Sequence, residues 1–414
     1  MNPWIRFDLG HDMGEKDLKR AAWENLGDKI SKRLWFLDSE KLCARARRRT
    51  GLEEFGGPPV DEPLQILTDS LEREANLHPL GRSLLRIHLQ SLLETRLRLN
   101  EEWRKKSHLA DIPILPPIFV TGMPRSGSAF LHELLAEDPA NRAPRVWEVM
   151  FPIPIARSAH RDPRPRMAAT RLWWFRRLAK RPDSVYPMRA TTPHECVAVH
   201  SYTLLSQEFI STARIPSYET FLRSTDLTPV YAWQKRFLQY LQLDSPRKRW
   251  VLKAPDHVYC LKQLFSIFPN AIVIQTHRNP LEVLRSSIQL TEVLYNLFAW
   301  PGDRNQLAER EAMLLARAME QFICFRDAHP ELENRFIDIS YSDLVANPLA
   351  AVLRVYERVG ATLSEEAVKR MRKLISQRAR YRKHNPTLTE FGVDVLREAR
   401  RFSQYCFRFG VPCQ

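Results

Sequence analysis

The stretch Pro117–Leu135, PIFVTGMPRSGSAFLHELL, decides the fold of this chain. Its first part, Ile118–Thr121, is a short apolar run that predicts a buried strand, and its leucine-rich end predicts a helix. Between them, Gly122 and Gly127 flank a turn. A strand that ends in such a turn and continues as a helix directs backbone N–H groups and the positive end of the helix dipole at one point. The stretch therefore predicts an anion-binding loop in an α/β fold.

The two glycines have the spacing of a Walker A loop, but the residues that follow them differ from that motif. Ser128 and Ala129 stand where a Walker A loop has Lys and Ser or Thr. The loop therefore lacks the phosphate-binding lysine and the magnesium-binding hydroxyl, and its cation is Arg125. An ordinary strand–turn–helix junction also explains the glycines, so the loop alone does not establish a function.

Composition sets wide bounds on the function. A chain of 414 residues is long enough for one large α/β domain with additions, or for two domains. The net charge of +15 suits an anionic cofactor, an anionic substrate or a membrane surface as well as nucleic acid. The 6 cysteines form no C-x-x-C pair, so neither a zinc site nor a disulfide framework is indicated. With no signal peptide or spanning segment in sight, we expect a soluble cytoplasmic protein.

Residues 1–110 are predicted to form a helical N-terminal extension. An amphipathic helix is expected over residues 23–37, followed by a basic and then Gly/Pro-rich connection over residues 43–59. Residues 64–75 and 80–106 carry leucines at helical spacing, which is typical of a core or interface. No chemistry is assigned to this region.

The second half of the chain alternates between strands and helices. Strands are predicted in RWVLKAP, which contains Lys253, in AIVIQTHR, which ends at Arg278, and in RFIDISYSDL. Such alternation predicts a parallel sheet, and ligands of parallel sheets bind outside the carboxyl ends of the strands. Over residues 111–414 we therefore expect a P-loop-like three-layer α/β fold, with a central parallel sheet flanked by helices.

Three further segments complete the sequence interpretation. The run Val146–Met150 is interpreted as a second short strand that carries Glu148 among bulky apolar side chains. Residues 157–245 are interpreted as a helical insertion that covers the substrate, in which the basic, aromatic helix 167–180 contacts a membrane or closes the pocket. An ordinary surface helix packed by its tryptophans is the alternative. Residues 378–414 form a basic, aromatic tail expected to fold over the sheet edge.

Three blocks in order resemble the PAPS-dependent sulfotransferases, which move a sulfuryl group from 3'-phosphoadenosine 5'-phosphosulfate (PAPS) to a hydroxyl. The segment MPRSGSAFLHELL resembles the family's 5'-phosphosulfate loop, and THRNPLEVLRSS resembles its 3'-phosphate site. The segment ISYSDLVANP resembles a later Tyr-x-x-Leu-x-x-x-Pro block. The layout is similar to long bacterial sulfotransferases distantly related to the tyrosylprotein sulfotransferases.

The resemblance implies roles for individual residues. Donor contacts are expected from Arg125, Ser126, Gly127, Ser128, Arg278, Ser286 and Tyr341. Arg125 and Lys253 would neutralise charge on the bridging oxygen, and Glu148 would be the base that takes the acceptor's proton. Glu148 is chosen because a glutamate about twenty residues beyond the loop arginine has that role in the resembling enzymes, and here the separation is 148 − 125 = 23. No metal is expected.

Other residues are assigned less directly. His194 and Glu195 are candidate acceptor contacts. His257 is another, and it is also an alternative to Glu148 as the base, because it resembles the Lys-x-His base of the cytosolic enzymes, although it lies four positions past Lys253. Ala129 departs from the family pattern and removes a hydroxyl, and a lost charge-assisted hydrogen bond costs about 1.5–3 kcal/mol.

We therefore expect a PAPS-dependent sulfotransferase that acts on a hydroxyl of a small molecule or lipid. Contact with a membrane is compatible with this reading, nucleic-acid binding is not expected, and the oligomeric state is left open. One alternative is a nucleotide-dependent phosphotransferase, against which the missing Lys–Ser pair argues. Another is a non-catalytic scaffold that binds PAPS or its product, 3',5'-ADP (PAP).

Overall fold

A central parallel sheet organises the chain. The computed structural model describes residues 36–155, 162–178, 188–243, 247–378 and 388–413. Its five-stranded sheet has the order β2-β3-β1-β4-β5, and all four strand pairings are parallel. The strands are β1 Ile118–Gly122, β2 Asn141–Arg142, β3 Arg249–Lys253, β4 Ile272–His277 and β5 Phe336–Ser340. The predicted α/β class is confirmed.

Helices flank the sheet and precede it. Those before the last strand are α1 Ser39–Thr50, α2 Asp61–Arg73, α3 Pro79–Lys105, α4 Ser128–Ala136, α5 Val146–Met150, α6 Arg164–Leu178, α7 Cys196–His200, α8 Gln207–Thr212, α9 Pro216–Ser224, α10 Thr228–Leu241, α11 Leu261–Ile267, α12 Pro280–Tyr295 and α13 Arg304–Ala328. After β5 come α14 Tyr341–Ala346, α15 Pro348–Arg358, α16 Glu365–Arg378, α17 Val395–Arg401 and α18 Ser403–Phe409. Short 3₁₀ helices span Ser107–Asp111, Ser201–Thr203, Pro255–Tyr259, Pro330–Arg335 and Thr389–Phe391.

The strands are apolar because both faces of the sheet are covered, as parallel sheets require. On one face, Phe119 and Leu252 pack into a cluster with side chains of α10, α12 and α13. On the other face, Val120 and Ile274 pack against α4 and α15. In register, Val120 lies beside both Lys253 and Ile274. The ends of β1, β3 and β4 therefore lie side by side.

The N-terminal helices share a core with the helices that precede β3. Trp103 of α3 and Phe237 of α10 belong to one buried cluster. The buried guanidinium of Arg96 donates to the backbone carbonyls of Phe55 at 3.0 Å and Tyr202 at 2.9 Å, which joins the two regions. The N-terminal region is helical, as expected, and the domain boundary at residue 110 stays a prediction.

The basic connection predicted over residues 43–59 is partly wrong. Its first half belongs to α1, whose buried face includes Cys43 and Ala46. Asp38 begins this helix by accepting from the Lys41 N–H at 2.9 Å, and Gly51 ends it in the left-handed conformation. The capping residues Asp38 and Gly51 therefore set the ends of α1, although its many arginines had suggested a loop. The helix predicted over residues 23–37 lies almost wholly outside the described residues.

The short strand predicted over Val146–Met150 is wrong, because this segment is helix α5. The Glu148 side chain accepts from the Arg145 N–H at 2.8 Å and thereby caps the first turn. The N–H of Val146 donates to the Thr192 carbonyl at 3.0 Å, which gives that helical donor a partner outside the helix. The strand of this region is instead the short β2, five residues earlier.

The C-terminal segment covers the end of β4 more than the outer edge of the sheet. The Tyr405 hydroxyl lies 3.1 Å from His277 Nδ1, and the Phe409 ring stacks on the His277 ring at 4.2 Å. His277 Nε2 lies 2.8 Å from Asp338 of β5. Residues 388–413 thus pack against the carboxyl end of β4. Most of the rest of the predicted tail lies outside the described residues.

Candidate active site

The loop after β1 is held in a strained, compact turn. Gly122 has φ 131°, Arg125 has φ 65° and Gly127 has φ 94°. A Cβ at Gly127 would lie 2.9 Å from the Tyr341 ring, so only glycine fits there. Gly127 is also the N-cap residue of α4 and has no side chain to satisfy the first-turn amides. The turn therefore presents these amides, as an anion-binding loop requires.

The loop serines are buried, and Ser126 braces the turn. The Ser126 hydroxyl donates to the Met123 carbonyl at 2.6 Å and lies 2.6 Å from the Thr276 hydroxyl of β4. Ser128 begins α4 and is also buried. The loop is thus fixed to the neighbouring strand through Ser126.

The residues assigned to the 3'-phosphate site lie against the loop. Arg278 follows β4 and donates to the Arg125 carbonyl at 2.8 Å. Its guanidinium lies 4.1 Å from the centre of the Tyr341 ring and also pairs with Glu282 at 2.7 Å. Arg125 Nε donates to the Ser286 hydroxyl at 2.9 Å. The structure therefore brings Arg125, Arg278, Ser286 and Tyr341 together, and it adds the Arg125–Ser286 contact that the sequence did not predict.

A buried ion pair lies on the other side of the loop. Lys253 ends β3, is 5% exposed, and its Nζ donates to Glu195 Oε1 at 2.6 Å. Glu195 is the N-cap residue of α7. The sequence named both residues separately, but their 58-residue separation hid the pairing. Because Lys253 is largely out of water, its charge acts at short range with little screening.

Glu148 lies on α5, between two arginines that contact its carboxylate. It is 7% exposed, and its Oε1 accepts from Arg142 Nη2 at 2.9 Å. The residue before the N-cap of α7 is hydrogen-bonded to the segment that precedes α5, because the His194 N–H donates to the Pro144 carbonyl at 2.7 Å. The segment that carries Glu195 is therefore hydrogen-bonded to the segment that carries Glu148.

Four neighbouring strands each place one predicted site residue at their carboxyl end or within three residues of it, and Glu148 follows the end of β2 by six residues, on α5. In sheet order these residues are Glu148 after β2, Lys253 on β3, Arg125 after β1, Arg278 after β4 and Tyr341 after β5. Carboxyl ends of parallel strands form one edge, where ligands of such sheets bind. These five residues include three cations and one carboxylate, and Glu195 and Glu282 pair with two of the cations.

Two histidines, His194 and His257, were candidates for acceptor contacts. His257 is fully buried, and its Nδ1 lies 2.7 Å from the Tyr231 hydroxyl. Burial lowers the pKa of His257 to about 3, so the ring is neutral. Burial also lowers the pKa of His194. His257 is therefore a buried, neutral side chain that packs near the end of β3, four residues after Lys253. Its predicted acceptor contact remains untested.

A buried polar group near Lys253 escaped the sequence interpretation. Asp256 lies 3.8 Å from His200, and His200 Nε2 lies 2.9 Å from Gln234. The signal available in the sequence was the acidic residue between Lys253 and His257, which alone indicates no partner. In the described ranges, no three His, Cys, Asp or Glu side chains form a group that could hold a metal ion.

Comparison with known proteins identifies the family. The model of the sulfotransferase family matches residues 116–365, which include every strand and the candidate residues described above. The omega-hydroxy-beta-dihydromenaquinone-9 sulfotransferase Stf3 of Mycobacterium bovis is 25% identical over 288 residues, which are 66% of this chain and 70% of that protein. The protein of the same name from Mycobacterium tuberculosis matches equally.

Solved structures agree with this assignment. The sulfotransferase STF1 of Mycobacterium tuberculosis superposes with a TM-score of 0.79 at 30% identity, covering 89% of this chain and 99% of STF1. The sulfotransferase STF9 of Mycobacterium avium superposes with a TM-score of 0.81 at 25% identity, covering 91% of this chain and 97% of STF9. Both similarities extend over nearly the whole fold. The chain belongs to the sulfotransferase family.

Proposed function

We propose that this sulfotransferase uses PAPS as donor and transfers its sulfuryl group to a hydroxyl of a small molecule or lipid, giving a sulfate ester and PAP. The observation that carries the proposal is the edge at which the four neighbouring strands β3, β1, β4 and β5 each place a predicted site residue. An edge that gathers three cations and the amides of a helix start suits a donor with several anionic groups.

The donor side consists of Arg125, Arg278, Ser286 and Tyr341. Its chemistry fits PAPS, because two guanidinium groups and a hydroxyl lie beside an aromatic ring. Arginines bind phosphate oxygens with strong charge-assisted hydrogen bonds, and an aromatic ring stacks on a base. A side chain at Gly127 would clash with Tyr341. Glycine at this position therefore lets the backbone of the turn approach an anion closely.

The acceptor side consists of Glu148, Lys253 and Glu195. Bound PAPS supplies the sulfuryl group. The Glu148 carboxylate takes the proton from the acceptor hydroxyl, and its contact with Arg142 fixes its direction. Lys253 is positioned by Glu195 and, with Arg125, balances negative charge on the bridging oxygen of the leaving group. Lys253 is buried, which strengthens its interaction with this charge, whereas Arg125 is exposed.

A lipid acceptor is supported by the relative that acts on a menaquinone derivative. Three side chains of α5 and the following turn, Trp147, Met150 and Phe151, pack with buried residues of α6 next to Glu148. Such surroundings suit an acceptor with an apolar part. None of the helices in the described segments is long and apolar enough to cross a membrane.

The experiment is incubation of the purified protein with sulfur-labelled PAPS and a lipid extract, followed by chromatography of labelled products. We expect a labelled lipid and stoichiometric PAP. A protein that binds PAP but labels nothing in lipid or aqueous extracts would contradict the enzymatic function and favour the scaffold. Transfer of phosphate from ATP that requires magnesium would favour the phosphotransferase.

A further inference from the structure

The solvent face of α6 carries large aromatic side chains. Trp173 is 48% exposed and Trp174 is 58% exposed, and the two rings meet edge to face at 4.9 Å. Met167, one to two turns earlier, is 39% exposed. The helix packs its opposite face, Ala168 and Leu172, into the protein. Exposed aromatic side chains that lie next to one another are typical of a surface that binds an apolar partner.

The same helix is strongly cationic. Its 15 residues, RPRMAATRLWWFRRL, contain five arginines and no acidic residue. Arg166 and Arg177 are exposed, and the Arg177 guanidinium lies 5.4 Å from the Trp173 ring centre. Tryptophans surrounded by cations suit the boundary between lipid headgroups and acyl chains. They suit the apolar face of a second protein less well, because that face would leave the arginines uncompensated.

An arginine-lined cavity lies beside this face. It has a volume of about 400 Å³ and is lined by α1, α3 and α6. Its charged lining residues are four arginines, Arg45, Arg49, Arg86 and Arg171, and one glutamate, Glu94. Arg49 pairs with Glu94 at 3.2 Å, and Arg171 donates to Ser91 at 3.4 Å, so both are held in place. The excess of positive charge fits a phosphate group.

We propose that α6 and this cavity form a docking surface for anionic phospholipid, in which Trp173 and Trp174 enter the interface and the arginines of the cavity bind a lipid phosphate. Charge complementarity and the exposed tryptophans select this occupant. Arg171 belongs to α6 and also lines the cavity, so the aromatic face and the phosphate site are two parts of one surface.

The surface is joined to the candidate active site. Helix α6 packs on α5, which carries Glu148, and the Arg164 guanidinium of α6 lies 4.6 Å from the Trp147 ring centre of α5. Docking therefore places the side of the molecule that carries Glu148 near the membrane. Vesicle binding is measured without any reaction, so it tests this docking surface whatever the acceptor is.

The test is co-sedimentation of the purified protein with vesicles of phosphatidylcholine, with or without about 30% phosphatidylglycerol, at low salt. We expect binding at least about tenfold tighter to the anionic vesicles, weakening as salt rises. The variant Trp173→Ala/Trp174→Ala should lose about tenfold in binding, and Arg45→Ala/Arg86→Ala should lose the preference for anionic lipid. Unchanged melting temperatures show that the variants fold.

Matched controls lie on other surfaces. Leu396→Ala/Phe407→Ala removes side chains that are 72% and 92% exposed, and Arg372→Ala/Lys373→Ala removes exposed charges of α16. Both should bind vesicles like the wild type. Equal binding to neutral and anionic vesicles, or full binding by the tryptophan variant, would overturn the proposal. Self-association that requires the tryptophans, without vesicle binding, would assign the face to a second copy and also overturn it.

Discussion

The donor side and the acceptor side share one edge of the sheet but are built differently. On the donor side, Arg125, Arg278 and Tyr341 each belong to a short strand-to-helix segment, and their contacts follow from neighbouring strands. On the acceptor side, Lys253 is held by Glu195, and Glu148 sits on a helix that is tied to residues near position 192. The donor side is thus defined by local motifs, whereas the acceptor side depends on contacts between distant segments.

This difference separates two tasks. A rigid turn braced by Ser126 and Thr276 suits a donor that is the same in every reaction cycle. Side chains placed by irregular segments suit an acceptor pocket, because such segments change without disturbing the sheet. Variants on the acceptor side should therefore alter the rate of transfer, and variants on the donor side should alter donor affinity.

The largest expected effect is that of Glu148→Gln. Loss of a general base lowers kcat by about 10²- to 10⁴-fold, while PAP affinity should stay unchanged because the residue lies on the acceptor side. Steady-state rates with labelled PAPS and calorimetric PAP titration measure the two quantities. Glu311→Gln, which alters another buried ion-paired glutamate, is the control and should retain activity. Undiminished transfer by Glu148→Gln would remove Glu148 as the base.

Lys253→Met should follow, with kcat lowered by about 10²-fold through loss of charge stabilisation in the transition state. Glu195→Gln keeps the lysine but weakens its positioning, so its effect should have the same direction and be smaller. Product formation under saturating PAPS measures both effects. The exposed Lys262, changed to Met, serves as control. A normal rate with a raised KM for PAPS in Lys253→Met would move Lys253 to the donor side.

Arg278→Ala tests the donor side. Loss of a charge-assisted hydrogen bond costs about 1.5–3 kcal/mol, so PAP should bind about 10- to 100-fold more weakly. At saturating PAPS the rate should change much less. Arg317→Ala, on the exposed face of α13, is the control. Unaltered PAP affinity in Arg278→Ala, measured by calorimetry, would exclude this arginine from the donor contacts.

Ala129→Thr should strengthen the donor side. The added hydroxyl stands at the second residue of α4, where the family usually has one, and a new hydrogen bond to an anion increases affinity by about tenfold. Ala136→Thr, at the other end of the same helix, controls for helix propensity. PAP titration is again the measurement. Weaker binding by Ala129→Thr would show that the departure at Ala129 is accommodated by the surrounding turn.

The last prediction concerns the pH dependence of stability rather than catalysis. Burial lowers the pKa of His257 to about 3, whereas a histidine of the unfolded chain has a pKa of about 6.5. Between these values only the unfolded state binds the proton, so stability is lost as pH falls, by about 1.4 kcal/mol per pH unit. His257→Gln should flatten the pH dependence of the unfolding free energy by that amount. His108→Gln, at an exposed histidine, is the control variant.

The sequence predicted four of the five strands and named the residues assigned to the donor side, whose role stays a prediction, but it missed β2. Apolar runs such as Ile118–Thr121 predict strands because the parallel sheet is buried on both faces. The glycine-flanked loop and the arginine after β4 are each recognisable from local sequence. Their proximity could be predicted once the two strands were assumed to lie in one parallel sheet. The contact between Arg125 and Ser286 was missed because it depends on the rotamer of a long side chain.

The acceptor side was predicted less well, for physical reasons. Val146–Met150 has a strand-like composition, and its helix arises from the cap supplied by Glu148 and from hydrogen bonds to residues near position 192. The Lys253–Glu195 pair joins residues whose proximity depends on the packing of α7. Neither feature has a periodicity or motif that marks it. Tertiary contacts outweigh local propensity in such segments.

The central claim is that the donor side binds PAP through its 3'-phosphate as well as its 5' end. Calorimetric titration of the wild-type protein with PAP and with 5'-ADP, in the presence of EDTA, tests it most directly. We predict that PAP binds at least about tenfold more tightly than ADP, because Arg278 and Ser286 are the residues that we propose for contact with the additional phosphate. Equal affinities, or binding that requires magnesium, would contradict the account.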